Sequence, residues 1–346
     1  MNILLRIAPV AAVLAATLSA QTQIDRHIPA YTRAEGVSGN IKSVGSDTMN
    51  NLMTRWAEGF NKLYPNVGVE IEGKGSSTAP PALIEGSASF GPMSREMKSK
   101  EQDDFVKKFG YPATKLIVGV DMLAVYVNKD NPIAKTGLTL DQVDAVFSKS
   151  RRAGYASDIR TWGDLGLTGE WADKPISIFG RNSASGTYGF FKEHVMGNGD
   201  FKDEVKEMPG SSSVVQGVAS DKYAIGYSGI GYITADVRAV PLGKNKDTIV
   251  VATPENVRKY PLARPLIVYV NHKPNGQLDP LRREFVRYVF SAEGQTAVVQ
   301  DGYLPLPFQA CLASLNAVGL DMKPVPDAVD ASGKAEGGKD KGKSGQ

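Results

Sequence analysis

The sequence predicts an α/β protein of two domains, and three observations carry that reading. At 346 residues the chain exceeds the length one hydrophobic core usually serves, and its 42% hydrophobic residues give each half enough to bury. Apolar periodicity switches repeatedly between the helical and the strand repeat. A turn rich in hydroxyls and glycine recurs between a strand and the helix that follows it.

Taken in order, residues 1–20, MNILLRIAPVAAVLAATLSA, place Arg6 ahead of the apolar run Ile7–Leu18 and end in small residues. That is a secretory signal with cleavage near Ala20, and the run is short for a membrane span. No cysteine stands at the cleavage point to carry a lipid, so the expected location is periplasmic. Residues 21–40 show no sustained period and read as an N-terminal extension. From Thr48 to Leu63 the apolar residues Met49, Leu52, Met53, Trp56, Phe60 and Leu63 fall at helical spacing, and Pro65 ends the helix. Val67, Val69 and Ile71 then alternate as a strand does. A short helix starts near Ser77–Ala79 and runs to Gly86, and Leu116–Val127 is apolar enough for a buried strand.

The second half repeats the style. Helices are expected at Thr139–Phe147, after Gly186 and around Ser213–Ala219, with strands at Ile176–Phe179, Ala224–Tyr227 and Thr248–Val251. Two more helices follow near Pro280–Phe290 and Ala292–Val299. Alternation of this kind predicts a mostly parallel sheet covered by helices. Residues 321–346, rich in Lys, Gly, Ser and Asp, have no apolar face and read as a solvated tail. No internal sequence repeat is evident.

Composition excludes several functions. A net charge of +3, part of it at the ends, leaves a nearly neutral body with no reason to bind nucleic acid. His27, His194 and His272 are too scattered for a metal site, and no cofactor motif is present. Cys311 is the single cysteine, so the chain folds without an internal disulfide and the thiol reads as buried.

The recurring turn appears as Val44-Gly-Ser-Asp-Thr-Met49, as Gly73-Lys-Gly-Ser-Ser-Thr78 and as Arg181-Asn-Ser-Ala-Ser-Gly-Thr187. Each sets hydroxyls and unpaired backbone N–H groups at a helix N-terminus, where the positive end of the dipole favours an anion. Three such turns can surround one tetrahedral oxyanion. The same residues also serve as ordinary helix caps, and Arg181 as half of a salt bridge, so both uses stay open at this level. Gly73-Lys74 lacks the Ser or Thr of a Walker loop, and no turn has dinucleotide-binding spacing.

These segments resemble the substrate-binding proteins of phosphate-specific ABC transporters. The likeness spans Ile41 to Leu320 and includes Gly45-Ser-Asp-Thr, Gly75-Ser-Ser, Phe90-Gly-Pro-Met-Ser-Arg95, the Arg181–Thr187 element, Ala263-Arg-Pro-Leu-Ile-Val-Tyr-Val270 and Ser291-Ala-Glu-Gly-Gln295. It implies a class II periplasmic-binding-protein architecture, two doubly wound α/β lobes joined by a two-strand hinge. Residues 41–125 and 269–320 would form lobe I and 126–268 lobe II, with crossings near Leu123–Val127 and Leu266–Val270. The implied partners are inorganic phosphate and a membrane permease, the protein itself being a monomer.

Carried over by position, the resemblance makes Thr48, the Met49 amide, Ser76, Arg181, Ser185, Gly186 and Thr187 ligands of the anion. Ser46, Asp47, Ser77, Ser94 and Arg95 complete the candidate site from the same segments. Two positions depart from the family pattern: Ser94 stands where many members carry aspartate, and Ser183 where an acidic residue often orients the arginine. Phosphate near neutral pH carries a P–OH that requires an acceptor, and Asp47 is the candidate, its alternative use being a helix cap. Sulfate, molybdate or tungstate remain the alternative ligands.

A phosphatase-type hydrolase is the rival reading. It needs a base near its nucleophile, and His194 lies about 10 Å along a helix from Thr187. No Gly-x-Ser-x-Gly elbow occurs either.

Overall fold

The computed structural model describes residues 23–327. The expected signal peptide and the 328–346 part of the tail lie outside the described residues. Strands and helices alternate as β1 (Gly39–Val44), α1 (Asn50–Leu63), β2 (Val67–Glu72), α2 (Ala79–Glu85), β3 (Gly91–Met93), α3 (Ser99–Phe109) and β4 (Thr114–Asn128). The chain continues through α4 (Ile133–Thr136), β5 (Leu138–Thr139), α5 (Leu140–Phe147), β6 (Ser177–Arg181), α6 (Gly186–His194), β7 (Lys206–Met208), α7 (Ser211–Ser220), β8 (Ala224–Gly229), β9 (Val237–Ala239) and β10 (Leu242–Gly243). It closes with β11 (Ala263–Val270), α8 (Pro280–Val289), α9 (Ala292–Gln300) and α10 (Phe308–Asn316).

Two lobes share one strand order. In the first the order is β2-β1-β3-β11-β4, with Ser43 bridging Phe90 to join β1 to β3. In the second it is β7-β6-β8-β4-β9. Within each lobe four strands run parallel and one, β11 or β4, runs against them. Each five-stranded sheet is therefore mostly parallel in strand direction, as expected, with the strand that crosses between lobes, β11 in the first and β4 in the second, set antiparallel to both its neighbours. The repeat that the sequence conceals is one of topology.

The long apolar run of β4 serves both lobes. Its residues up to Met122 pair with β11, and from Leu123 to Val127 they pair with β8. The return crossing, expected near Leu266–Val270, comes earlier: Leu123 N donates to Leu262 O at 3.0 Å, Ala263 opens β11 opposite Met122, and all of Ala263–Val270 pairs with the first-lobe part of β4.

Each lobe has its own core. The α1 stripe of Leu52, Met53, Trp56 and Phe60 packs with Leu266, Val268 and Phe285 in the first. Phe147, Trp162, Phe191, Tyr227 and Leu262 form the second. Cys311 is buried in the first core, which pushes its thiol up to about 12. Among the described residues no helix is long and apolar enough to cross a membrane.

Two further expectations are corrected. Residues Thr248–Val251 form no strand; Val250 exchanges one pair of backbone bonds with Leu242 beside a 3-10 turn at Lys246–Thr248. The N-terminal extension, though aperiodic, is tied down: Ile28 is buried in the first core, and Tyr31 reaches Tyr64 at 2.7 Å and Glu284 at 2.9 Å through its hydroxyl. The root of the tail lies against it, with Val325 N donating to His27 O at 2.9 Å.

Candidate anion-binding site

The carboxyl ends of β1, β2 and β3 in one lobe face those of β6 and β7 in the other, the position where open α/β sheets hold ligands. Past β1, Asp47–Met49 make a 3-10 turn into α1, anchored by the Ser46 amide on Pro92 O at 2.8 Å. Past β2, Gly75 adopts φ 113°, and a Cβ on it would lie 2.5 Å from the Ala184 carbonyl of the opposite lobe. Only glycine admits that approach, which brings Ser77 N within 3.1 Å of Ala184 O.

Hydroxyls from both lobes converge here. Ser46 Oγ donates to Ser94 Oγ at 3.1 Å, Ser94 N donates to Ser76 Oγ at 3.0 Å, and Thr48 and Thr187 share a hydrogen bond of 2.8 Å across the cleft. Ser185 caps α6, its Oγ accepting from Thr187 N at 3.1 Å and Tyr188 N at 3.3 Å. The serines and threonines of this cluster are all buried. Gly186 sits among them, and a Cβ there would fall 2.2 Å from Ser76 Oγ and 2.7 Å from Ser94 Oγ.

Arg181 ends β6 with 1% of its surface exposed. Its Nη1 donates to Ser211 Oγ at 2.7 Å, and its Nη2 reaches Pro209 O at 3.3 Å and Asp47 Oδ2 at 3.1 Å. Nε is buried and finds no partner among the described residues. Burial pushes this guanidinium down, and the nearby Asp47 charge opposes the shift. A buried cation whose Nε has no such partner, set beside helix N-termini and the hydroxyls they carry, suits a dehydrated anion.

Asp47, Ser46, Thr48, Ser76, Ser94, Arg181, Ser185, Gly186 and Thr187 are thus brought together. Three expected residues stand differently. The Met49 amide bonds back to Ser46 O at 3.2 Å, because the turn it closes is a 3-10 turn. The Arg95 guanidinium pairs with both Glu101 oxygens at 2.7 and 2.8 Å and donates to Ser77 Oγ at 3.2 Å, so it braces the loop before α3. Ser77 accordingly supports Arg95 through its hydroxyl and Ala184 through its amide.

Sequence reasoning missed Ser211, Asp121 and Arg264. Ser211 N donates to Asp47 Oδ2 at 2.7 Å. Its segment, Pro209-Gly-Ser-Ser-Ser213, is a fourth copy of the recurring turn and was legible as one. Asp121 and Arg264 are buried and bonded to each other at 2.8 Å, each set within an apolar stretch of its strand. Among the described residues no group of His, Cys, Asp and Glu could hold a metal. His194 is stacked on Phe190 with Nδ1 3.1 Å from the Phe190 carbonyl, an engagement along its own helix and not with Ser185.

The family model described as a PBP superfamily domain matches residues 30–293. The phosphate-binding protein PstS of Pseudomonas aeruginosa is 54% identical over 305 residues, covering 87% of this chain and 94% of that protein. The chain belongs to the PBP superfamily, and within it to the PstS family. PstS of Staphylococcus haemolyticus is 29% identical over 277 residues, with 78% of this chain and 82% of that one covered. A Clostridium perfringens structure described as a phosphate ABC transporter substrate-binding protein with bound phosphate aligns with TM-score 0.65 at 27% identity, over 77% of this chain and 99% of its own. An ABC-type phosphate transport receptor from Vibrio cholerae shares the fold, with TM-score 0.59 at 24% identity over 77% of this chain and all of its own. The PstS family is one of binding proteins, not enzymes.

Proposed function

We propose that the chain is an exported solute-binding protein that captures inorganic phosphate between its lobes and delivers it to the membrane permease of an ABC importer. One observation carries this reading: Arg181, buried and with an Nε that has no partner among the described residues, contacts Asp47 in the turn whose Ser46 and Thr48 join the hydroxyls that meet across the cleft. The 54% identity to a phosphate-binding protein supports the choice of ligand. Ser46, Asp47, Thr48, Ser76, Ser94, Arg181, Ser185, Gly186 and Thr187 are the proposed binding residues. We take the lobe boundaries at Met122–Leu123 and Leu262–Ala263, in place of the expected 125/126 and 268/269, because the strands change partners there. The protein acts as a periplasmic monomer after cleavage near Ala20.

Ligand atoms held from both sides stabilise only the closed arrangement, so binding shifts the population towards it. The test is calorimetry on protein refolded from denaturant to strip bound anion. One phosphate per chain is expected, with weaker binding of sulfate and molybdate and no turnover of a chromogenic phosphate ester. Tighter sulfate than phosphate would replace the ligand, and ester turnover would replace the function.

A further inference from the structure

We infer that Arg264, held by Asp121, is a positioning residue of this site: it acts through Thr187 as a latch on lobe closure and fixes that hydroxyl as a donor. The inference rests on the anion-binding reading above and extends it to the hinge. Arg264 faces Asp121 across β11 and β4, within two residues of the point where both strands change lobes. Its Nε and Nη2 donate to Asp121 Oδ2 at 2.9 and 2.8 Å, and Nη1 to the Ser94 carbonyl at 2.9 Å. Those contacts stay within the first lobe. Two others cross to α6: Nη2 donates to Thr187 Oγ1 at 2.9 Å, and the guanidinium carbon lies 5.3 Å from the Phe190 ring centroid. Thr187 and Phe190 are one turn apart on one helix face. Arg264 therefore grips the second lobe at the first turn of the helix that carries the ligand residues, and only while the lobes are together.

The polarity of these bonds matters as much as their number. A guanidinium only donates, so Thr187 Oγ1 must accept from it, and its one proton is left for Thr48 or for the anion. Ser185 Oγ is filled from behind in the same way by two backbone amides, and Ser76 Oγ by the Ser94 amide. Where no amide is in reach, Arg264 does this for Thr187. Its place at the strand crossing lets the same bond report closure to the site.

The test is a cycle read by calorimetry with inorganic phosphate and with sulfate on the full mature chain. Arg264→Met/Asp121→Leu removes the ion pair together, leaving no buried charge unpaired. It is compared with Thr187→Val and with the triple variant. The pair variant and Thr187→Val should each bind at least about tenfold more weakly than wild type, while the triple is no weaker than Thr187→Val alone. A triple variant weakened by the product of the two losses overturns the latch and leaves the function standing. Wild-type protein that binds neither anion overturns both. If the pair variant does not fold, Arg264→Lys serves instead: one ammonium cannot span Asp121 and Thr187, so anion release should quicken at least about tenfold with the unliganded melting temperature little changed. An unaltered release rate overturns the proposal.

Discussion

Asp47 and Arg181 belong to opposite lobes, yet the Asp47 carboxylate lies 3.1 Å from Nη2 of Arg181 and takes the Ser211 amide on the same oxygen at 2.7 Å. The arginine is thus oriented from across the cleft, in place of the acidic neighbour that Ser183 does not supply. Replacing Arg181 with alanine removes a charged donor worth about 1.5–3 kcal/mol per hydrogen bond, so phosphate affinity should fall at least about tenfold. Asp47→Asn should weaken phosphate and sulfate by similar factors, since it acts by placing Arg181. Calorimetry with both anions decides; a loss confined to phosphate would make Asp47 the acceptor of the P–OH.

Gly186→Ala should abolish tight binding without harming the fold. The added methyl suits the first turn of a helix, but it would meet Ser76 Oγ at 2.2 Å across the cleft. The variant should melt like unliganded wild type and show no ligand-induced compaction in small-angle scattering. Compaction equal to wild type would mean the lobes accommodate the methyl.

Selectivity should respond to Ser94, whose hydroxyl lies 3.1 Å from Ser46 Oγ and 3.4 Å from Ser76 Oγ. A serine can accept the proton of phosphate or donate to sulfate, whereas a carboxylate can only accept. Wild type should prefer phosphate, and Ser94→Asp should widen the preference by disfavouring sulfate, at about 1–3 kcal/mol for an unpaired buried group. Competition binding reads the ratio. A ratio that does not move locates the acceptor at another group.

His27 should titrate above its ordinary 6.5, raised first by its hydrogen bond to Asp327 and then by Asp25. A raised folded pKa contributes stability that is full below the unfolded value and lost as pH climbs through the folded one. The contact of the extension with the tail root should therefore loosen on going from mildly acidic to alkaline pH. NMR titration of His27, assigned by substitution, checks the upward shift.

Elements with a strong period and the glycine turns were legible because their residue types are dictated locally. The helix α3 escaped, since SKEQDDFVKKF buries only Phe105 and a charged surface leaves no apolar stripe. The extension escaped for a related reason: Ile28 and Tyr31 anchor it singly, with no repeat around them. Residues Thr248–Val251 read as a strand from β-branched composition, yet only Val250 finds a partner. Asp121 and Arg264 each looked like an isolated charge in a strand; that they neutralise one another depends on a register no local pattern encodes.

The exchange of strands between lobes also sets an order for assembly. Gly91 in β3 cannot find its neighbour until Tyr269 has been made, so the first lobe must wait, with an open sheet edge, for a strand that follows the entire second lobe. Such distant pairings slow folding and leave edges free to aggregate. The second lobe, by contrast, has β4 in hand before its own strands appear. A chain truncated ahead of β11 should therefore retain the structure of the later-made half and lose that of the earlier one, the reverse of the order of synthesis.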